Sequence, residues 1–297
     1  MVKTDPVGKT DCWDWIPAYQ LLDLPGSYTT AGSLNLFGMS WNKIEWAWQL
    51  GLYSENVSVQ GGDLYLEVSD YSGVGAQIES HAEVHHGEYH ASIKGVPATS
   101  CPDGTTQGFF YYLNDSSEID VEILSADPGY VHFVVQGGEH FRVPVPNQST
   151  EYHDYGFVWQ PDSVEFTLDG ATAIGQEVIS GNICDGWTFA HGGEFLAAIA
   201  TTNIPQAPGK LMINHWTGNP SWSGFAPKGT GALIMRVDSV WYPTACPADF
   251  DHDGDVDTND LLHLLGCWGQ PCGDVDGDND TDIDDLLALL AAWGDCP

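Results

Sequence analysis

Basic residues are nearly absent from this chain. Only 8 Lys and Arg stand against 42 Asp and Glu, a formal net charge of −34 over 297 residues. Nucleic-acid binding depends on Lys and Arg neutralising phosphates, so that class of function is excluded. Anionic membrane surfaces are excluded for the same reason. No apolar run is long enough to span a bilayer, and membrane insertion is not expected. Cys-x-x-Cys pairs are also missing, and no cysteine spacing suits zinc. The 7 cysteines therefore read as disulfide formers in a secreted, extracellular protein. Their odd number leaves at least one thiol unpaired or shared between chains. No strong amphipathic helix pattern precedes residue 245. These absences leave a neutral ligand, a cation, or both.

What is present reads as strands. Hydrophobic residues make up 42% of the chain, including 12 Trp, 12 Tyr and 11 Phe, enough for a sizeable core. Residues 57–59 and 64–68 flank Gly61-Gly62 and form a hairpin pattern. Further strand patterns cover 77–81, 87–94, 108–113, 130–136, 140–145, 152–160, 163–168, 209–216 and 232–242. Each closes on Gly, Pro, Asn or Asp, and Asp169-Gly170 is a tight-turn pair. Many short strands with regular turns predict an antiparallel sandwich or barrel. Residues 171–203 read as a Gly-rich insert. The composition changes at residues 243–247, which divides the chain into units 1–243 and 246–297. The second unit holds 14 Asp and no Lys or Arg.

One strand stands out, Glu118-Ile119-Asp120-Val121-Glu122. Side chains alternate along a strand, so the three carboxylates share one face and Ile119 and Val121 the other. Three adjacent carboxylates raise one another's proton affinity, so at least one stays protonated near neutral pH. One ionised and one protonated carboxyl is the equipment for glycoside hydrolysis. The same spacing also suits a solvated edge strand.

The tail repeats itself at an offset of 25 residues. A 12-residue calcium loop takes oxygen ligands at positions 1, 3, 5, 7, 9 and 12, with a left-handed-tolerant residue at position 6. The first repeat supplies Asp249, Asp251, Asp253, Asp255 (through its carbonyl), Asp257 and Asp260, with Gly254 at position 6. The second supplies Asp274, Asp276, Asp278, Asp280 (through its carbonyl), Asp282 and Asp285, with Asn279 at position 6. Two calcium ions are implied. Leu261, Leu264, Leu265 and Trp268 follow at i, i+3, i+4 and i+7, as do Leu286, Leu289, Leu290 and Trp293, and each set predicts an amphipathic helix. A calcium loop followed by one helix, twice over, resembles the dockerin module. That resemblance implies a cohesin-type protein partner, contacted through Thr258-Asn259 and Ile283-Asp284.

A second resemblance covers roughly residues 40–242. The 118–122 strand looks like the Glu-x-Asp-x-Glu signature of glycoside hydrolase family 16, in its lichenase-like form. Segments 86–94, 152–161, 164–170 and 204–216 resemble the family's other strands, in the family's order. The resemblance implies an all-β fold, a jelly-roll sandwich of two curved antiparallel sheets, beside the small helical module. It implies endo-acting, retaining hydrolysis of a β-1,3-1,4- or β-1,3-glucan. Glu118 would be the nucleophile, Glu122 the acid/base and Asp120 their helper. Asn214 would hydrogen-bond a sugar hydroxyl. Sugar rings present apolar C–H faces, so aromatics are expected to line the cleft. The candidates are Trp216, Trp159, Tyr111, Tyr112 and Trp222, each of which also reads as core packing. Some family members hold a further calcium on the sandwich, and no ligands for it are assignable in this sequence. Lichenases carry a Trp two residues before the nucleophile, where this chain has Ser116. The other readings are a glycan-binding or transglycosylating protein on the same fold, and a calcium-stabilised structural or adhesive protein.

Overall fold

The computed structural model describes residues 28–46, 51–68, 75–99, 103–182, 186–189, 193–217, 231–243, 246, 248–250, 255–275 and 280–295. In chain order the strands are β1 (Tyr28–Leu36), β2 (Met39–Trp46), β3 (Val57–Gln60), β4 (Asp63–Val68), β5 (Ala76–Ser80), β6 (Gly87–Lys94), β7 (Thr106–Asn114) and β8 (Ser117–Leu124). Then come β9 (Tyr130–Val135), β10 (His140–Pro144), β11 (His153–Trp159), β12 (Val164–Leu168), β13 (Ala171–Thr172), β14 (Ile174–Asn182), β15 (Gly186–Phe189), β16 (Leu196–Ala197) and β17 (Ile199–Ala200). The last are β18 (Lys210–Trp216), β19 (Leu233–Trp241), β20 (Asp255–Val256) and β21 (Gly294–Asp295).

Two antiparallel sheets result. The larger runs β1-β2-β5-β18-β7-β8-β9-β10-β14-β15, with β16 also on β14. The smaller runs β13-β12-β11-β6-β19-β4-β3, with β17 also on β12. Strand alternation explains why they face each other. Ile119, Val121 and Ile123 of β8 are all but inaccessible, as are Tyr155, Phe157 and Trp159 of β11. Phe133 of β9 stacks on Phe166 of β12 with centroids 4.8 Å apart, and Phe109 of β7 meets Phe157 at 5.7 Å. Each such buried side chain contributes roughly 1.5–3 kcal/mol. Asp169-Gly170 turns β12 into β13 with both residues at positive φ, 52° and 75°, the conformation of a two-residue hairpin turn.

The insert is not a loop. Its residues form β13 to β17, and β14 extends the larger sheet by pairing with β10 through Phe141↔Glu177 and Arg142↔Gln176. Its glycines concealed an edge that a neighbouring strand completes. Gly175 shows why a glycine is needed there, because a Cβ would lie 2.7 Å from the Arg142 carbonyl oxygen.

In the tail, helix α1 spans Thr258–Gly266 and helix α2 spans Ile283–Ala291. Each begins with a capping box, Asp257 with Asp260 and Asp282 with Asp285. A small core gathers Ala248, Val256, Leu264 and Leu289. The expected apolar faces are corrected in part. Leu264 and Leu289 point inward, whereas Leu265, Trp268, Leu290 and Trp293 are exposed. Cys267 and Cys272 form a disulfide after α1. Among the described residues no helix is long and apolar enough to cross a membrane.

Candidate active site

β8 carries Glu118, Asp120 and Glu122 on the outer face of the larger sheet. Register places Tyr112, Phe110 and Gly108 of β7 opposite them, in that order. On the other flank, Val134 of β9 faces Asp120, and His132 faces Glu122. Opposed residues of antiparallel strands share a face, with Cβ atoms about 4.5–5.5 Å apart. The rows continue outward. Asn214 of β18 stands opposite Gly108 and Met212 opposite Phe110, while Gln77 and Glu79 of β5 stand beyond them. Gly108 must lack a side chain, because a Cβ there would lie 2.7 Å from Asn214 Oδ1.

Burial divides the three carboxyls. Asp120 is only 6% exposed. Its proton affinity is raised well above the carboxylate range, first by burial and then by the charges of Glu118 and Glu122 on either side. Glu118 is raised to about 7, again chiefly by burial, and its hydrogen bond with Asp120 works the other way. The more deeply buried Asp120 therefore holds the proton and donates it to the Glu118 carboxylate. The Gln136 side chain also hydrogen-bonds Asp120. This leaves Glu118 ionised beside a neutral partner, where two adjacent charges would repel.

A loop after β17 frames the Glu118 end. Glu139 accepts from the backbone N–H groups of Thr201 and Thr202 at 3.2 and 3.1 Å, and from the Thr202 hydroxyl at 2.9 Å. Asn203 Nδ2 donates to the carbonyls of Gln136 and Ser116, so it ties the loop to β8 and β9. Gly138 makes the approach possible, because a Cβ there would lie 2.2 Å from the Thr202 carbonyl oxygen. Gly138→Ala is therefore expected to lower stability by about 1–3 kcal/mol, measured by thermal unfolding. An unchanged melting temperature would show that the loop gives way freely.

Most of the other expected site residues can be placed. Tyr112 lies beside Glu118 and donates its hydroxyl to Asp115 Oδ1 at 2.9 Å. Asn214 is in the Glu122 row, 8% exposed, and donates to Gln77 Oε1 at 3.5 Å. Trp216 is two residues further along the same face and packs against Ile44 and Leu52. Trp159 is corrected. It belongs to β11 of the smaller sheet, is fully buried, and donates Nε1–H to the Pro205 carbonyl at 3.0 Å. Tyr111 is buried beside it, with centroids 4.4 Å apart, because strand alternation turns it away from Tyr112. Trp222 lies outside the described residues. Ser116, where lichenases carry Trp, is exposed and hydrogen-bonds Asn114 Oδ1 through N–H and Oγ.

Sequence reasoning missed the group beyond Glu122. His132 Nε2 lies 2.9 Å from Asp127 Oδ2, and its Nδ1 lies 3.0 Å from His140 Nε2. Arg142 clamps Asp127 with two hydrogen bonds of 2.6 Å. The signal was alternation, since His132, His140 and Arg142 all occupy outward positions of β9 and β10. Only the pairing of those strands with β8 brings them to Glu122.

In the tail, carboxylate oxygens of Asp255, Asp257 and Asp260 converge within 4.8 Å, as do those of Asp280, Asp282 and Asp285. Asp260 is fully buried and accepts from the N–H groups of Phe250 and Asp257 at 2.6 and 2.8 Å. Asp285 repeats this with Val275 and Asp282, both at 2.7 Å. Asp249 is buried and Asp274 partly so. Asp251, Asp253, Asp276 and Asp278 lie outside the described residues. Convergent, oxygen-only donors in a segment without Lys or Arg fit a hard cation such as calcium.

Residues 40–177 match the profile of Glycosyl hydrolases family 16. A Beta-glucanase of Paenibacillus polymyxa is 32% identical over 169 residues, covering 53% of this chain and 59% of that protein. A Beta-glucanase of Acetivibrio thermocellus is 26% identical over 241 residues, covering 72% and 62%. The chain thus spans about three fifths of the length of these curated relatives. Among solved structures, the Bacillus licheniformis beta-glucanase superposes with a TM-score of 0.52 at 24% identity, covering 73% of this chain and all of that one. A prokaryotic beta-1,3-1,4-glucanase (lichenase) from a mouse hindgut metagenome gives 0.50 at 22% identity, covering 72% and 96%. At these identities the superpositions speak for the fold.

Proposed function

We propose that this chain, whose residues 40–177 match the profile of Glycosyl hydrolases family 16, is a secreted, endo-acting, retaining hydrolase of β-1,3-1,4- or β-1,3-glucan. One observation carries the reading: Asp120 is buried between Glu118 and Glu122 on one face of one strand. Glu118 attacks the anomeric carbon while Glu122 protonates the departing glycosidic oxygen. A glycosyl ester forms on Glu118. Water then gives its proton to Glu122 and attacks the same carbon, which frees Glu118. Positions i and i+4 put the two Cα atoms about 13 Å apart on a flat strand. A retaining mechanism needs the carboxyls ~5–5.5 Å apart, a gap two long Glu side chains can close by converging over the sheet. Asp120 keeps its proton in the resting state and donates a hydrogen bond to Glu118, so the nucleophile has a neutral neighbour rather than a second charge.

The names of the relatives support β-glucan as substrate, and the charge of −34 suits a neutral polymer. Asn214 and Tyr112 flank the reacting centre, and Trp216 ends the row. In the tail, Asp255, Asp257 and Asp260 hold one calcium and Asp280, Asp282 and Asp285 a second. The ion offsets carboxylate repulsion. The exposed Leu262, Leu265 and Trp268 recur as Leu287, Leu290 and Trp293. This doubled apolar face supports docking on a cohesin-type protein. Hydrolysis of mixed-linkage glucan, laminarin, agarose, carrageenan and xyloglucan, with product analysis, tests the substrate. Oligosaccharides of several lengths from either β-glucan, initially with retained configuration, are expected. Activity confined to a galactan would overturn the substrate class.

A further inference from the structure

Glu122 has different surroundings on its two flanks. Towards β7 lies Gly108, with no side chain. Towards β9 lies His132, fully buried, and the next residue in that row is Arg142. Neighbouring strands are about 4.8 Å apart, so a guanidinium is anchored roughly 10 Å from the anchor of the proton donor. At an effective dielectric of about 20, a cation at that range moves a carboxyl roughly one pH unit towards its ionised form, against the proton Glu122 must deliver.

Asp127 prevents this. It takes both Arg142 hydrogen bonds at 2.6 Å and is itself only slightly exposed. Burial alone would push its carboxyl up, but the bonds from Arg142 and His132 outweigh that and hold it below the usual range. Asp127 is therefore ionised and cancels the Arg142 charge. As an acceptor it also fixes the His132 tautomer: Nε2 carries the hydrogen, and Nδ1 accepts from His140 Nε2–H. Burial pushes both imidazoles down, so both stay neutral. Arg142 is further pinned by the Tyr130 ring, 3.2 Å from its Cζ. The described titratable and charged groups around His132 on this face include Glu122 and Asp120 of β8, Tyr130 of β9, His140 and Arg142 of β10, and Asp127 of the β8–β9 turn.

We propose that Asp127 is a positioning residue for the proton donor: it cancels Arg142 and locks His132 as a neutral wall, so that Glu122 meets no net positive charge on this flank. The inference rests on the reading of Glu122 as acid/base and goes beyond it.

The test is the alkaline limb of kcat/KM against pH for β-glucan hydrolysis. Asp127→Asn uncovers the Arg142 charge. It is expected to move that limb down by about one pH unit and to lower kcat about tenfold at neutral pH, with KM little changed. A dinitrophenyl glycoside, whose leaving group needs no proton, should lose far less. Arg142→Gln leaves Asp127 uncompensated and should move the limb the other way. The double variant Asp127→Asn/Arg142→Gln should bring it back. A merely structural clamp predicts equal losses on both substrates and a double variant worse than either single one. That result, or limbs that do not move, overturns the inference. Glu122→Gln is the control for the premise. It should lose kcat/KM on glucan and keep kcat/KM on the activated substrate, whose turnover then slows at the water step that Glu122 serves as base. If it fails to do so, the acid/base assignment falls, and this inference with it.

Discussion

Glu118→Ala is expected to abolish β-glucan hydrolysis, a loss of at least about 10⁴-fold in kcat, while leaving the sandwich folded and more stable. The loss follows from the chemistry. Without the carboxylate no glycosyl ester forms, and neither Asp120 nor Glu122 is placed to replace it. The gain in stability follows from burial. Glu118 is pushed up to about 7 in the folded chain, chiefly by desolvation, from 4.5. A raised carboxyl gives its full stabilising share below its unfolded value. That share is lost as pH rises through the folded value. The buried Glu118 carboxyl thus weakens the fold increasingly as pH rises from about 4.5 to about 7. Removing Glu118 relieves this penalty and lets Asp120 lose its neighbour's charge. The variant should melt a few degrees higher at pH 8 and show a flatter dependence of melting temperature on pH. Undiminished turnover would refute the nucleophile assignment. Lost turnover with a lower melting temperature would point to a structural carboxylate instead.

Removing calcium is expected to unfold the tail and spare the sandwich. Residues 246–297 hold 14 Asp and no Lys or Arg. Among the described residues their core cluster gathers Ala248, Val256, Leu264 and Leu289 as buried members. So small a core offsets little chain entropy. The carboxylates that converge on each cation site are also tied to the helix starts, through Asp257 with Asp260 and Asp282 with Asp285. Loss of the ion would release repulsion at both helix N-termini at once. Chelator should abolish the tail's helical circular dichroism and expose it to protease, while glucan hydrolysis persists. A tail equally resistant in excess chelator would sink the calcium reading. Asp260→Ala should mimic chelation for one loop, since it also removes the acceptor for two buried N–H groups.

Several features were legible early because they are local. Strand alternation put Glu118, Asp120 and Glu122 on one face before any pairing was known. Turn chemistry at Gly61-Gly62 and Asp169-Gly170 marked hairpins that form. The loop spacing marked two acidic clusters, and among the described residues three carboxylates of each lie together, with Asp255 and Asp280 placed there by side chain where a carbonyl was expected. Less local features went astray. Trp159 looked available for sugar stacking, yet the smaller sheet buries it under Tyr111, His85 and His86. Residues 171–203 gave no strand pattern, because their short strands complete their hydrogen bonding against β10, β12 and one another. In the tail, an even i, i+3, i+4, i+7 pattern hid that one side of it stays exposed, since periodicity gives a face but not what covers it.

The sequence by itself determined the carboxylate ridge, the calcium-loop pattern and the all-β class. Each depends on spacing within one strand, turn or loop, where backbone geometry fixes side-chain direction. Tertiary structure decided which carboxyl holds the proton, because that depends on how deeply each is buried. It also decided which aromatics face the ridge, and it set His132, Asp127 and Arg142 beside Glu122. These facts depend on register between strands, and no strand carries its partner's register in its own residues.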